Sequence, residues 1–183
     1  MAVLLDAAVR ARVGRVIEEL RPLGPGVAWV IPDNLHLTVK FLGGVEETRL
    51  ADVTAAITRA ACRASSFELA VTGVGAFPSP TRPRVLWAGV TAGATPLTGL
   101  AGDLDTALAE LGFPREDRAF SPHVTFGRVR EQRRQPALAS ALVAAAALDF
   151  GRVQVTKLSL MRSDLSPRGA RYSELAAIPL TGA

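Results

Sequence analysis

Cysteine occurs once in the sequence, as Cys62, so no disulfide can form within the chain and nothing argues against a reducing compartment. Its simplest reading is a small buried residue on a helix. No apolar run approaches the ~20 residues of a membrane span, and Ala2-Val3-Leu4-Leu5 is interrupted by Asp6 and Arg10 before it could act as a signal core. A soluble, intracellular and cytoplasmic protein is expected. There is no Gly-x-Ser-x-Gly elbow for a serine nucleophile and no Gly-x-x-x-x-Gly-Lys for a nucleoside triphosphate. His-x-His and His-x-x-x-His are missing as well, so a metal site would need carboxylates to complete its shell.

What is present begins with 49% hydrophobic residues over 183 positions, enough for a real core in one domain or two small lobes. The formal charge is +4, with arginine supplying most of the positive side. Arginine suits bidentate phosphate contact, so an anionic partner is tolerated, although a solvated basic surface would look the same.

The chain has two histidines, 87 positions apart, and each is followed two places on by threonine. Threonine is 13 of 183 residues, so chance would give both pairs with a probability of about 0.5%, and the repeat carries information. In Asn34-Leu35-His36-Leu37-Thr38-Val39-Lys40-Phe41-Leu42-Gly43, odd positions are apolar while His36, Thr38 and Lys40 are polar. That period of two predicts a half-buried strand with His36 and Thr38 on the face turned from the core. In Ser121-Pro122-His123-Val124-Thr125-Phe126-Gly127-Arg128 the same alternation holds until Gly127, which suggests a bulge or a close backbone approach.

Around these two strands the pattern predicts helices from Asp6 to about Leu20, Glu46 to Arg63, Pro96 to Leu111 and Pro136 to Leu148. Further strands are predicted at Val3-Leu4-Leu5, Val27 to Ile31, Phe67 to Val74, Arg84 to Val90, Val153 to Met161 and Tyr172 to Ile178. Phe77 to Pro83 and Phe113 to Pro122 read as loops. Several strand pairs are joined too closely for helical crossovers, which implies antiparallel or mixed sheets in an α+β fold. Helix, His strand and helix recur in that order. The expected architecture is therefore a single domain, residues 1–183, of two pseudo-symmetric lobes with helices packed outside and a central cleft that receives both His-x-Thr strands.

Two imidazoles can work as one proton acceptor and one proton donor in a displacement at phosphorus, with no metal or cofactor required. Threonine hydroxyls on the same face can donate to non-bridging phosphate oxygens. The rival readings are a pair of structural histidines, a carboxylate-assisted metal site, and a non-catalytic RNA-binding module with a relic cleft.

The two His-x-Thr stretches, together with Gly73-Val74-Gly75-Ala76-Phe77-Pro78, Arg82-Pro83-Arg84-Val85-Leu86-Trp87-Ala88-Gly89-Val90, and Arg162-Ser163-Asp164-Leu165-Ser166-Pro167 followed by Ala170-Arg171-Tyr172, resemble the two-histidine phosphoesterases. The resemblance is to the branch of RNA 2′,3′-cyclic phosphodiesterases, also called 2′-5′ RNA ligases. It implies two α+β lobes around a cleft and opening of a terminal 2′,3′-cyclic phosphate to a 2′-phosphomonoester. It further implies His36 as the acid that protonates the leaving 3′ oxygen, His123 as the base that activates water, and Thr38 and Thr125 as phosphate ligands. Joining of ends through a 2′-5′ linkage, or cleavage of 2′,5′-oligonucleotides, would use the same site. Arg118, Arg128 and Arg130 are candidates for the RNA backbone. Trp29, Trp87, Phe41 and Tyr172 are candidates for base stacking, with core packing the better reading for all but Tyr172. RNA ends or small cyclic-phosphate nucleotides are the expected partners, and a monomer the expected state. Members of the branch usually carry several more residues before Ala2, so the chain is expected to begin late in its first strand.

Overall fold

A computed structural model describes residues 1–131, 133–166 and 169–182. In chain order the elements are β1 (Ala2–Leu4), α1 (Ala7–Leu20), β2 (Val27–Trp29), β3 (His36–Thr38), α2 (Leu50–Ala61), β4 (Phe67–Phe77), β5 (Val85–Val90), α3 (Ala94–Ala109), β6 (His123–Val129), α4 (Pro136–Ala144), β7 (Asp149–Val155), β8 (Lys157–Ser166) and β9 (Gly169–Pro179). Every strand pairing is antiparallel, in the order β7-β4-β5-β6-β3-β1-β8-β9, with β2 added to β6. The class is α+β, a curled antiparallel sheet with four helices.

The path divides naturally at β3 and β6. These strands meet through the pair Leu37↔Val124 alone, whereas the ladders on either side are longer. One half holds β3, β1, β8 and β9; the other holds β6, β5, β4 and β7. The helices cover the apolar faces because their patterns demand it. α1 buries Val9, Val13, Val16, Ile17 and Leu20, α2 buries Val53, Ala56, Ile57, Ala60 and Ala61, and α3 buries Leu97, Leu100, Leu104 and Leu108.

Four expectations need correction. The predicted strand from Val153 to Met161 is two strands that break at Thr156, whose carbonyl accepts the Leu180 N–H at 2.8 Å. The alanine-rich helix stops at Ala144 because only Leu138 and Leu142 are buried, and alanine gives no stripe to extend it. Cys62 is exposed, one position beyond Ala61, where the helical turn has carried the chain past the buried face of α2. Phe41, aligned by alternation with the core, is 75% exposed: β3 ends at Thr38, and the period of two ceases to govern beyond it. β1 is interior, flanked by β3 and β8. Pro167, the last residue of one motif, lies outside the described residues.

Candidate active site

Leu37 and Val124 are fully buried and face each other across the β3–β6 seam. Side chains alternate along a strand, so the residues flanking these two emerge on the opposite face. Antiparallel register about that pair brings His36 level with Thr125, and Thr38 level with His123. Each histidine is thereby set beside the threonine of the other motif. All four line one cleft of about 550 Å³, together with Arg118, Arg128 and Tyr172.

Both imidazoles are fixed in the same way. His36 Nδ1 lies 2.8 Å from the Asn34 carbonyl and His123 Nδ1 lies 2.7 Å from the Ser121 carbonyl. A carbonyl only accepts, so Nδ1 carries the hydrogen and Nε2 is left for the cleft. Each ring also meets an aromatic edge: Tyr172 stands against His36 with centroids 4.9 Å apart, and Phe77 against His123 at 5.2 Å.

The surroundings differ. His36 is the more enclosed, and loss of solvent pushes its imidazole below the ordinary value against the opposing pull of its bond to the Asn34 carbonyl. Asn34 is itself held, donating its side-chain amide to the Ala170 carbonyl of β9 at 2.8 Å. The sequence reading missed this residue, since its partner lies 136 positions away.

Gly127 explains how Arg128 reaches the cleft. The register between β5 and β6 shifts where Leu86 pairs with Gly127 and Trp87 with Thr125, leaving Phe126 as the extra residue of a bulge. A Cβ at Gly127 would stand 3.0 Å from Val27 and 3.1 Å from Leu86, so backbone and side chains approach closely here, as its interruption of the alternation suggested. After the bulge, Arg128 rather than residue 127 turns to the His/Thr side. Arg130 lies past the end of β6 and does not line the cleft.

Lys40 is the second residue missed. Alternation placed it outward with His36 and Thr38, yet it is 3% exposed. Its ammonium donates to Asp105 Oδ1 at 2.6 Å and to the Pro114 carbonyl at 2.9 Å, with Glu116 Oε1 at 3.6 Å. Asp105 also accepts the Glu116 N–H at 3.1 Å, and Lys40 holds its carboxyl below the usual range. This cluster ties the segment after the first motif to the loop that carries Arg118, Phe120 and Ser121 into the second.

Of the stacking candidates, Trp29 lies parallel to Phe126 at 6.3 Å, and Trp87 packs on Phe77 at 5.2 Å. Both serve packing, as expected. Phe41, contrary to expectation, stands exposed and lines the cleft, as Phe120 does. Among the described residues no group of three or more His, Cys, Asp or Glu side chains is placed to hold a metal ion. No helix of the described residues is long and apolar enough to cross a membrane.

The sequence profile described as LigT like phosphoesterase matches residues 3–87 and 89–172, one His-x-Thr strand in each stretch. The chain belongs to the LigT-like phosphoesterase family. A relative from Archaeoglobus fulgidus, named RNA 2′,3′-cyclic phosphodiesterase, is 37% identical over 96% of both chains. One of the same name from Methanothermobacter thermautotrophicus is 34% identical over 98% of this chain and 97% of its own. Among solved structures, a Thermus thermophilus protein superposes with a TM-score of 0.78 at 31% identity, covering 99% of this chain and 96% of that one. Escherichia coli LigT complexed with 3′-AMP gives 0.79 at 27% identity, covering 98% and 95%.

Proposed function

We propose that this LigT-like phosphoesterase hydrolyses the terminal 2′,3′-cyclic phosphate of RNA to a 2′-phosphomonoester. The observation that carries the reading is the pair of Nδ1-anchored imidazoles whose Nε2 atoms are free for one shared cleft. The names of the archaeal relatives support the substrate, and 3′-AMP in the LigT complex supports a nucleotide in the cleft.

In this mechanism His123 Nε2 takes a proton from water as it attacks phosphorus. His36 Nε2 gives a proton to the departing 3′ oxygen on the opposite side, as an in-line displacement requires. Thr38 and Thr125 donate to the non-bridging oxygens, where charge gathers in the transition state. Arg118 and Arg128 neutralise the phosphate, while Tyr172 backs His36. No metal enters any step. Because each half of the sheet supplies one histidine, the protein works as a single two-lobed domain, and a monomer in the cytoplasm suffices.

The test is incubation with an oligonucleotide bearing a 2′,3′-cyclic phosphate in the presence of EDTA. Turnover to the 2′-phosphate is expected. Tight binding without turnover would make the protein an RNA-binding module, and turnover restored only by added divalent metal would overturn the two-histidine mechanism.

A further inference from the structure

β9 closes one end of the sheet path and is separated from β3 by β1 and β8, so no ladder bond joins it to the strand that carries His36. Asn34 makes that join with its side chain. The Asn34 amide donates through Nδ2 to the Ala170 carbonyl of β9 at 2.8 Å, and since a carbonyl only accepts, the orientation of the amide is fixed. The backbone carbonyl of the same residue receives the His36 Nδ1–H at 2.8 Å. Two residues beyond Ala170 on β9, Tyr172 stands against the His36 ring with centroids 4.9 Å apart. One residue therefore governs two contacts of one imidazole, holding Nδ1 directly and the strand of the backing ring through its amide.

The second motif shows what is particular to the first. Ser121 takes the place of Asn34, two positions before the histidine, and its carbonyl likewise anchors His123 Nδ1. The ring behind His123 is Phe77 of β4. Only β5 lies between β4 and β6, and it is laddered to both, from Phe77↔Val85 on one side to Gly89↔His123 on the other. Backbone pairing alone can therefore set Phe77 against His123, whereas Tyr172 reaches His36 from three strands away.

We infer that Asn34 is a positioning residue for proton donation: by tying β9 to the start of β3 it fixes the His36 ring, and with it the aim of Nε2 at the departing 3′ oxygen. This assignment rests on the acid role proposed above for His36. Asn34 also lines the cleft, so its competing roles are a direct contact with substrate and a plain tie within the fold. Each role moves a different quantity. A lost substrate contact raises KM, a lost structural tie slows every reaction alike, and a lost aim lowers kcat only where a proton must be delivered.

The experiment measures kcat and KM of Asn34→Ala and Asn34→Leu on a dinucleotide ending in a 2′,3′-cyclic phosphate and on its analogue with sulfur in place of the bridging 3′ oxygen. Leucine keeps the branched outline of asparagine without its donor, so a defect shared by both variants comes from the lost hydrogen bond rather than from a cavity. On the oxygen substrate both should lose about tenfold in kcat with KM within about twofold, short of the ~10²-fold that a misplacement of about 1 Å can cost. The sulfur leaves without needing a proton, so on that substrate both should lie within about twofold of the parent. Adding Asn34→Ala to His36→Ala should change the rate by less than about twofold, because an effect exerted through His36 has nothing left to act on. A loss that persists on the sulfur substrate, a raised KM with kcat intact, no loss at all, or failure of both variants to fold would each overturn the inference. If His36→Ala is rescued by sulfur and the Asn34 variants are not, this inference fails while the proposed acid role stands; if His36→Ala is not rescued, the acid role itself has failed and the inference with it.

Discussion

The two halves of the sheet present the same device with unequal amounts of strand behind it. His123 sits at the start of β6, a seven-residue strand laddered to β5 on one side and to β2 beyond the bulge. His36 opens β3, which is three residues long, pairs with the equally short β1 and meets β6 through one pair. In the first half, side chains add to the short ladder: Asn34 reaches Ala170, and Lys40 reaches Asp105 and Pro114. A geometry repeated in sequence is thus kept by a long ladder in one copy and by a short ladder reinforced with long-range polar contacts in the other. Equal motifs should therefore respond unequally to substitutions around them, even where the histidines themselves are equally needed.

The largest effects should fall on the histidines. His36→Ala and His123→Ala should each lower kcat/KM by roughly 10²–10⁴-fold, the usual scale for a general acid or base, and Thr38→Ala or Thr125→Ala by less. A substrate with sulfur in place of the bridging 3′ oxygen separates the two. Its thiolate leaves without needing a proton, so His36→Ala should recover much of its rate and His123→Ala should not. Rescue of His123→Ala instead would exchange the roles, and rescue of neither would reduce both imidazoles to phosphate positioning.

Next comes the buried ammonium. Lys40→Met keeps most of the aliphatic stem but removes the ammonium that donates to Asp105 and the Pro114 carbonyl. A loss of about 2 kcal/mol in unfolding free energy is expected at neutral pH, the scale of a hydrogen bond to a charged group. The Asp105 carboxyl is depressed in the folded state, mainly by its bond to Lys40. Its contribution is therefore complete above the unfolded value near 3.8 and lost as pH falls through the folded one. Thermal unfolding of the variant should accordingly change less with acidification than that of the parent. A variant that matches the parent at both neutral and acid pH would show that the cluster contributes nothing.

The enclosure of His36 sets a third, smaller contrast. Its imidazole is pushed below the ordinary value of 6.5 by loss of solvent, so in the free protein its proton leaves early as pH rises. The alkaline limb of kcat/KM should fall below that value, because a general acid acts only while protonated. A bound phosphate anion favours the charged ring, so the alkaline limb of kcat should lie at higher pH. Coincident limbs would mean that substrate leaves the His36 environment unchanged.

These unequal supports mark the limit of what residue patterns convey. Alternation made β3 and β6 legible, and Gly127 betrayed the bulge, because each depends on neighbours within a few positions. His36, Thr38, His123 and Thr125 could be placed in one cleft since the repeat had only one economical meaning. Lys40 and Phe41 came out exchanged, one buried and the other exposed, because alternation says nothing of where the ladder stops. Asn34 and Asp105 find their partners across 136 and 65 positions, distances over which sequence carries no local trace. Arg82 and Arg84 stood in a motif, but the groove that gives them a common direction exists only once β4, β5 and the loop around Arg118 are assembled.

The finest contrast lies in the rings that back the two imidazoles. Tyr172 meets His36 nearly edge-on with an interplanar angle of 68°, and Phe77 meets His123 at 85°. Edge-to-face pairs of this kind are worth about 0.5–1.5 kcal/mol, so removing either ring should cost roughly two- to tenfold in kcat/KM through a less well-held Nε2. Tyr172→Leu should show that loss, while Tyr172→Phe should stay within about twofold of the parent, because the edge contact needs no hydroxyl. If Tyr172→Phe is as impaired as Tyr172→Leu, the hydroxyl itself touches substrate and Tyr172 belongs with the phosphate ligands. Phe77→Leu carries a further consequence, since Phe77 also packs on Trp87. Its loss in hydrolysis should therefore exceed that of Tyr172→Leu. Equal losses for the two variants would leave Phe77 as a support for His123 alone.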